Sequence, residues 1–203
     1  MDKPYIVGLT GGIACGKSTV SATLSAEGAL VVDADALSHE LTAPGGEALP
    51  RIAEVFGPAV FEADGTLNRH ALGALVFGDE ASRRALEGII HPMVQRRVME
   101  RIREATDRGE PLLFLDVPLL FETGMDALCD EVWVVTADEE TQVRRIMQRD
   151  RLSAAEARAR IESQMSTEEK AGRAQVIVKH DRGIEALQAE VHSLLRDLRR
   201  RIR

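Results

Sequence analysis

The sequence predicts an α/β fold in which helices cover both faces of a parallel sheet. Short apolar, β-branched runs at residues 5–9, 29–32, 112–115, 132–135 and, more weakly, 175–178 have the length and continuity of strands buried on both sides. Helical periodicity fills the chain between them, as crossovers between parallel strands require. The runs stop at glycine or polar residues such as Gly11, Asp33, Asp116 and Thr136, where ligands of such sheets gather.

After the first strand, residues 17–27 read as a helix stopped by Gly28. The second strand ends in Asp33-Ala34-Asp35. Between residues 35 and 111 only helical patterning appears, at 37–41, 48–56, 69–77 and 82–106, far more chain than one crossover helix needs. A helical lobe inserted at 37–107 is expected, divided by turns at Pro44-Gly45-Gly46, Gly57-Pro58 and Asp64-Gly65. A second excursion, 149–172, contains the capping box Ser153-Ala154-Ala155-Glu156 and pairs Glu156 with Arg160 and Arg158 with Glu162 one turn on. It is expected to form a small helical lid. Residues 1–36, 108–148 and 173–203 make the core. The core closes with an amphipathic helix that lays Leu187, Val191, Leu194, Leu195 and Leu198 against the sheet.

A chain of 203 residues with 44% hydrophobic and 29% charged residues suits one compact domain carrying inserted lobes. The net charge of −7 argues against general nucleic-acid binding. The apolar runs are too short to span a bilayer, and the opening residues lack a signal-peptide pattern, so the cytoplasm is the expected setting. Cys15 and Cys129 form no C-x-x-C pair and the five histidines fall at no zinc-ligand spacing, so neither disulfide nor structural zinc is expected. Arg144, Arg145, Arg149, Arg151, Arg158, Arg160, Lys170 and Arg173 crowd one stretch that suits phosphates. A second basic group, 196–203, suits a helix C-terminus.

Gly11-Gly12-Ile13-Ala14-Cys15-Gly16-Lys17-Ser18 fits G-x-x-x-x-G-K-[ST] without a gap, after a strand and before a helix. Glycines let successive backbone N–H groups converge on a phosphate, and the helix N-terminus faces the same anion. Gly12, Ile13, Ala14, Cys15, Gly16, Lys17, Ser18 and Thr19 are therefore expected to cradle the phosphates of ATP. Lys17 would reach the β and γ groups, and the Ser18 hydroxyl would join the shell of the accompanying Mg2+. The fold expectation sharpens to a P-loop NTPase-type sheet. Cys15 reads as a small residue at a permissive position, the alternative being a thiolate stabilised by the helix N-terminus.

P-loops serve switches, motors and kinases alike. Asn68 is the only asparagine, which removes the N-K-x-D guanine-reading motif, and the length leaves no room for a motor's extra domains. A small-molecule kinase remains. Asp33 and Asp35, at strand spacing, would share one face. One would take the acceptor's proton, and the other would hold magnesium or cap the next helix. Arg145 and Arg149, on the helix entering the lid, are candidates for stabilising the transferring phosphoryl group. Arg151, Arg158 and Arg173 read as solvent-facing. The competing readings are a kinase of a nucleoside monophosphate or shikimate-like acceptor, and an ATP-binding regulator without turnover.

In combination these residues resemble the dephospho-CoA kinase family across nearly the whole chain. Residues 8–13 leading into Gly16-Lys17-Ser18-Thr19 are similar to its opening, and Asp33-Ala34-Asp35 to its D-x-D. Pro44-Gly45, Gly65-Thr66-Leu67-Asn68-Arg69, Ile89-Ile90-His91-Pro92 and Asp116-Val117-Pro118-Leu119-Leu120-Phe121-Glu122 match further signatures. Arg145, Arg149, Arg160 and Gln164 fall in its lid pattern. The resemblance implies transfer of the ATP γ-phosphate to the ribose 3′-hydroxyl of dephospho-CoA, with Asp35 as base and Asp33 in support. It also implies that Thr10, Arg69, His91 and Asp116 help hold the acceptor. For His91 a structural histidine before proline is the other reading; for Asp116, a magnesium-shell contact or a strand-end turn residue. One stretch departs from the pattern: Lys179-His180 stands where the family has Asp-Asn beside the adenine. That leaves base recognition to backbone contacts or to His180.

Overall fold

The computed structural model of the chain describes residues 3–202. Two compact units are distinguished, one spanning Asp33–Arg101 and the other formed by the chain before and after it. Among the described residues there are five strands and nine α-helices.

The strands are β1 (Tyr5–Gly11), β2 (Leu30–Asp33), β3 (Leu112–Asp116), β4 (Glu131–Thr136) and β5 (Val176–Lys179). Their order is β2-β3-β1-β4-β5, and β1 pairs in parallel with both β3 and β4. The strand order thus reverses at β1, which opens a crevice at its carboxyl end. Register sets the crevice walls: Leu9 lies beside Asp116, and Gly11 beside Val135.

Each strand is where β-branched and aromatic residues cluster, and β1 and β3 are buried on both sides. One face of the sheet packs Val7, Leu9, Phe114, Trp133, Val135 and Val178 against Val20 and Leu24 of α1 (Lys17–Ala26). The same face meets the stripe Leu187, Val191, Leu195 and Leu198 of α9 (Ile184–Arg201), spaced as an amphipathic helix demands. Between β4 and β5 come α6 (Glu139–Asp150), α7 (Ala154–Glu162) and α8 (Thr167–Gly172). Val143, Ile146 and Ala157 form a small separate core there, with Ile13 and Leu152 packed on it. Ser153 and Ser166 each begin a complete capping box, with Glu156 and Glu169 reaching back.

The second unit is helical: α2 (Ala34–Leu41), α3 (Leu49–Phe56), α4 (Arg69–Gly78) and most of α5 (Glu80–Asp107). Leu37, Leu41, Ile52, Val60, Leu72, Ile89, Val94 and Val98 are among its buried apolar residues. Asn68 caps α4 by accepting from the Ala71 N–H at 2.8 Å, and a single antiparallel bridge joins Phe61 to Leu67. Pro92 sits inside α5, where it withholds one backbone donor. The unit begins at Asp33, where α2 follows β2 directly, and ends at Arg101 within α5. Ile102 and Ala105, in the last turns of α5, are buried within the first unit.

Among the described residues no helix is long and apolar enough to cross a membrane. The basic end of the chain behaves as a helix terminus should. Arg199 donates to the Glu27 carbonyl at 2.9 Å, and Arg201 pairs with the buried Glu131 at 2.8 Å; Arg203 lies outside the described residues.

Candidate active site

The phosphate loop forms as the motif requires: β1 stops at Gly11 and α1 starts at Lys17. Gly16, the N-cap, has φ 102°, a left-handed conformation that penalises any side chain. Space adds a second reason for glycine. A Cβ on Gly16 would lie 2.2 Å from His180 Nδ1, and one on Gly12 would lie 2.4 Å from Thr167 Oγ1. The loop is therefore pressed from two sides, by the residue after β5 and by the start of α8.

Lys17 meets Asp116 at the carboxyl end of β3, and the carboxylate is almost wholly buried. The segment after Asp116 is fastened at the Pro118 carbonyl, which accepts from Thr10 Oγ1 at 2.9 Å and from Lys170 Nζ at 2.8 Å. Lys170 has no exposed surface and pairs with Glu122 at 2.9 Å. Within the basic stretch expected to suit phosphates, this residue instead braces the segment after Asp116. Thr10 is likewise fully buried, and its hydroxyl fastens this segment.

Cys15 is fully buried, and that burial pushes its thiol above the usual range against smaller opposing hydrogen bonds from Ala137 and Thr167. Burial of this kind disfavours the charged thiolate and suits a small apolar residue.

An open cleft of about 440 Å³ adjoins the loop, lined by Ala14, Gly16, Ser18, Thr19, Arg145, Arg149 and His180 among others. Arg145 Nη1 donates to the Ala14 carbonyl at 3.0 Å, and Nη2 lies 3.1 Å from His180 Nε2. Arg149 is turned to its neighbour Asp150 in a two-pronged contact at 2.8 and 2.9 Å, and Arg160 reaches the same carboxylate at 2.6 Å. The Arg149 hydrogen bonds hold Asp150 below the ordinary carboxylate range. Of the arginines read as solvent-facing, Arg158 pairs with Glu139 at 3.5 Å and Arg173 stacks over Phe121 at 5.4 Å. Arg151 closes α6 in a left-handed conformation.

In the second unit, Asp33 and Asp35 do not share a strand face. Asp33 ends β2, while Asp35 lies in the first turn of α2. Asp33 Oδ1 accepts from the backbone N–H of Asp35 at 2.8 Å and of Ala36 at 3.2 Å, so Asp33 caps the helix. Arg69 donates to Thr42 Oγ1 at 2.9 Å. His91 is exposed on α5, one residue before Pro92.

The sequence profile described as dephospho-CoA kinase matches residues 5–186. The chain belongs to the dephospho-CoA kinase family. A dephospho-CoA kinase of Anaeromyxobacter dehalogenans is 49% identical over 194 residues, covering 96% of this chain and 92% of that protein. The solved dephospho-CoA kinase from Campylobacter jejuni superposes with a TM-score of 0.74 at 28% identity, over 95% of this chain and 96% of that one. A solved Thermus thermophilus protein gives 0.81 at 38% identity, over 97% and 99%. Against the dephospho-CoA kinase pattern, the departure at Lys179-His180 acquires a setting. His180 is buried against the phosphate loop, its backbone N–H donating to the Thr136 carbonyl at 2.8 Å. The roles not read from the sequence, those of Glu122, Asp150 and Lys170, belong to polar partners distant in the chain or adjacent without periodic signal. Only the Ser166 capping box was open to reading.

Proposed function

We infer that this chain is an ATP-dependent kinase that transfers the γ-phosphoryl group to the 3′-hydroxyl of dephospho-CoA, giving coenzyme A and ADP. The observation that carries the reading is the built phosphate cradle, with Lys17 at its mouth, in a chain related over nearly its full length to dephospho-CoA kinases.

In this reading the loop amides and Lys17 take the β and γ phosphates, neutralising charge that grows as the phosphoryl group moves. Mg2+ fits the oxygen donors present. The Ser18 hydroxyl lines the cleft and the Asp116 carboxylate lies beside Lys17, a donor set of the kind that magnesium supplements with phosphate oxygens. When bound, the ion supplies charge neutralisation and holds the phosphates in line. Arg145 stands at the loop, and Arg149 joins the phosphates on leaving Asp150. Asp35 is assigned the proton of the attacking hydroxyl, on the resemblance of residues 33–35 to the family's D-x-D and on the commitment of Asp33 to capping. Arg69 and His91 are assigned to the acceptor on the same resemblance. Both cysteines are free, which suits a reducing cytoplasm.

The test is a coupled assay with ATP, magnesium and dephospho-CoA, with the product mass measured. The expected product is heavier than the acceptor by one phosphoryl group. ADP release stimulated by a nucleoside monophosphate or shikimate, with none from dephospho-CoA, would overturn the reading.

A further inference from the structure

A phosphate cradle needs its amides turned inward, which turns its carbonyls outward and leaves them to be satisfied elsewhere. Here two consecutive residues pose that problem. Ala14 has φ 59°, a left-handed conformation that is unfavourable for a residue with a side chain. Gly16 is left-handed as well. Between them, the carbonyls of Ala14 and Cys15 each meet one side chain. Ala14 accepts from Arg145 Nη1 at 3.0 Å, and Cys15 lies 2.9 Å from His180 Nδ1. The two side chains then meet each other, Arg145 Nη2 to His180 Nε2 at 3.1 Å.

Donor and acceptor roles in this ring of contacts follow from chemistry. A guanidinium has donors only, so His180 Nε2 must accept from Arg145. The imidazole is then neutral with its proton on Nδ1, which donates to the Cys15 carbonyl. His180 is itself fixed, since its ring is buried over Gly16 and its backbone N–H is tied to Thr136 at the end of β4. The circuit thus runs from the sheet, through His180, to the loop directly and again by way of Arg145.

We propose that His180 is a positioning residue for the phosphate loop. By holding the Cys15 carbonyl outward it sets the cradle's amides before nucleotide arrives, and by accepting from Arg145 it aims that guanidinium at the cleft. It acts through these two groups. The proposal rests on the kinase reading for its activity readout and on the geometry alone for its binding readout.

Three substitutions separate the two hydrogen bonds. His180→Phe keeps a ring and removes both. His180→Asn places an amide N–H near the Nδ1 position and leaves Arg145 without its acceptor. His180→Gln reaches the Nε2 position and abandons the Cys15 carbonyl. ADP affinity by titration calorimetry, and kcat and KM for ATP, are measured for each beside circular dichroism of the fold. The Phe variant is expected to bind ADP about 10- to 100-fold more weakly, the range for a buried polar group left unpaired. The Asn variant is expected to keep ADP affinity within about threefold while kcat falls about tenfold; Gln is expected to lose affinity more than Asn does. A folded Phe variant with wild-type ADP affinity and kcat would overturn the proposal. If Phe does not fold, equal ADP affinity and equal kcat in Asn, Gln and wild type overturn it. A wild-type protein that binds ADP and does not phosphorylate dephospho-CoA would instead count against the kinase reading, leaving the binding comparison in force.

Discussion

Lys170 Nζ lies where no solvent reaches, held by Glu122 and the Pro118 carbonyl at 2.9 and 2.8 Å. Removing one member of such a pair leaves the other charge uncompensated, at a cost of about 3–5 kcal/mol when both are deeply buried. Glu122 retains some exposure, so Lys170→Met is expected to lower unfolding free energy by about 2–4 kcal/mol in urea titrations. Adding Glu122→Leu should restore part of that loss; a double variant less stable than the single one would contradict the account. The thiols give a second residue-level prediction. Burial raises both, Cys129 to about 12 with help from Asp126 and Asp130. A disulfide reagent at about pH 8 should therefore find neither thiol within minutes in the native protein and both after denaturation. Fast labelling of native Cys15 would show that the loop opens. At this scale the sequence was legible where spacing alone sets chemistry, as from Gly11 to Ser18. It was silent where a partner is remote: nothing near Lys170 in the chain distinguishes it from the arginines around it.

At the scale of elements, helix starts carry much of the local specification. Asp138 caps α6 by accepting from the Thr141 backbone N–H at 2.7 Å, and this contact holds its carboxyl below the ordinary range. The sign follows from linkage. Folded Asp138 binds its proton more weakly than the unfolded residue does, so its contribution is complete above the unfolded carboxylate value and fades as pH falls through the lowered folded one. Asp138→Asn keeps an accepting oxygen without a titration, so the wild-type advantage should shrink between about pH 6 and about pH 3 in thermal melts. An advantage independent of pH would remove the cap from the account. The strands were readable because apolar runs bounded by glycine and acidic residues have few other homes. The junction after β2 was not. Residues 33–35 fit strand alternation and a capped helix start equally well, and the two backbone donors that Asp33 accepts decide for the helix.

For the whole molecule, a nucleotide that binds only the folded chain must stabilise it by mass action. At a concentration of ADP about 100-fold above its dissociation constant this amounts to about 2.7 kcal/mol, or a rise in Tm of about 5–10 °C for a chain of this size. Differential scanning calorimetry with and without ADP measures it, and an unmoved Tm would mean that the cradle does not hold nucleotide. The general architecture was legible because helical patterning between residues 35 and 111 is too long for a crossover. One limit of the second unit falls inside α5, where the helical pattern runs on without a break.

Trp133, the chain's single tryptophan, stands in β4 edge-on to Phe114 with ring centroids 5.3 Å apart, its indole N–H donating to Glu131 at 2.7 Å. The protein therefore carries an intrinsic fluorophore on an interior strand of its sheet, shielded from water. Unfolding should shift its emission to the red, so a tagless optical readout of sheet integrity is already present in the native sequence.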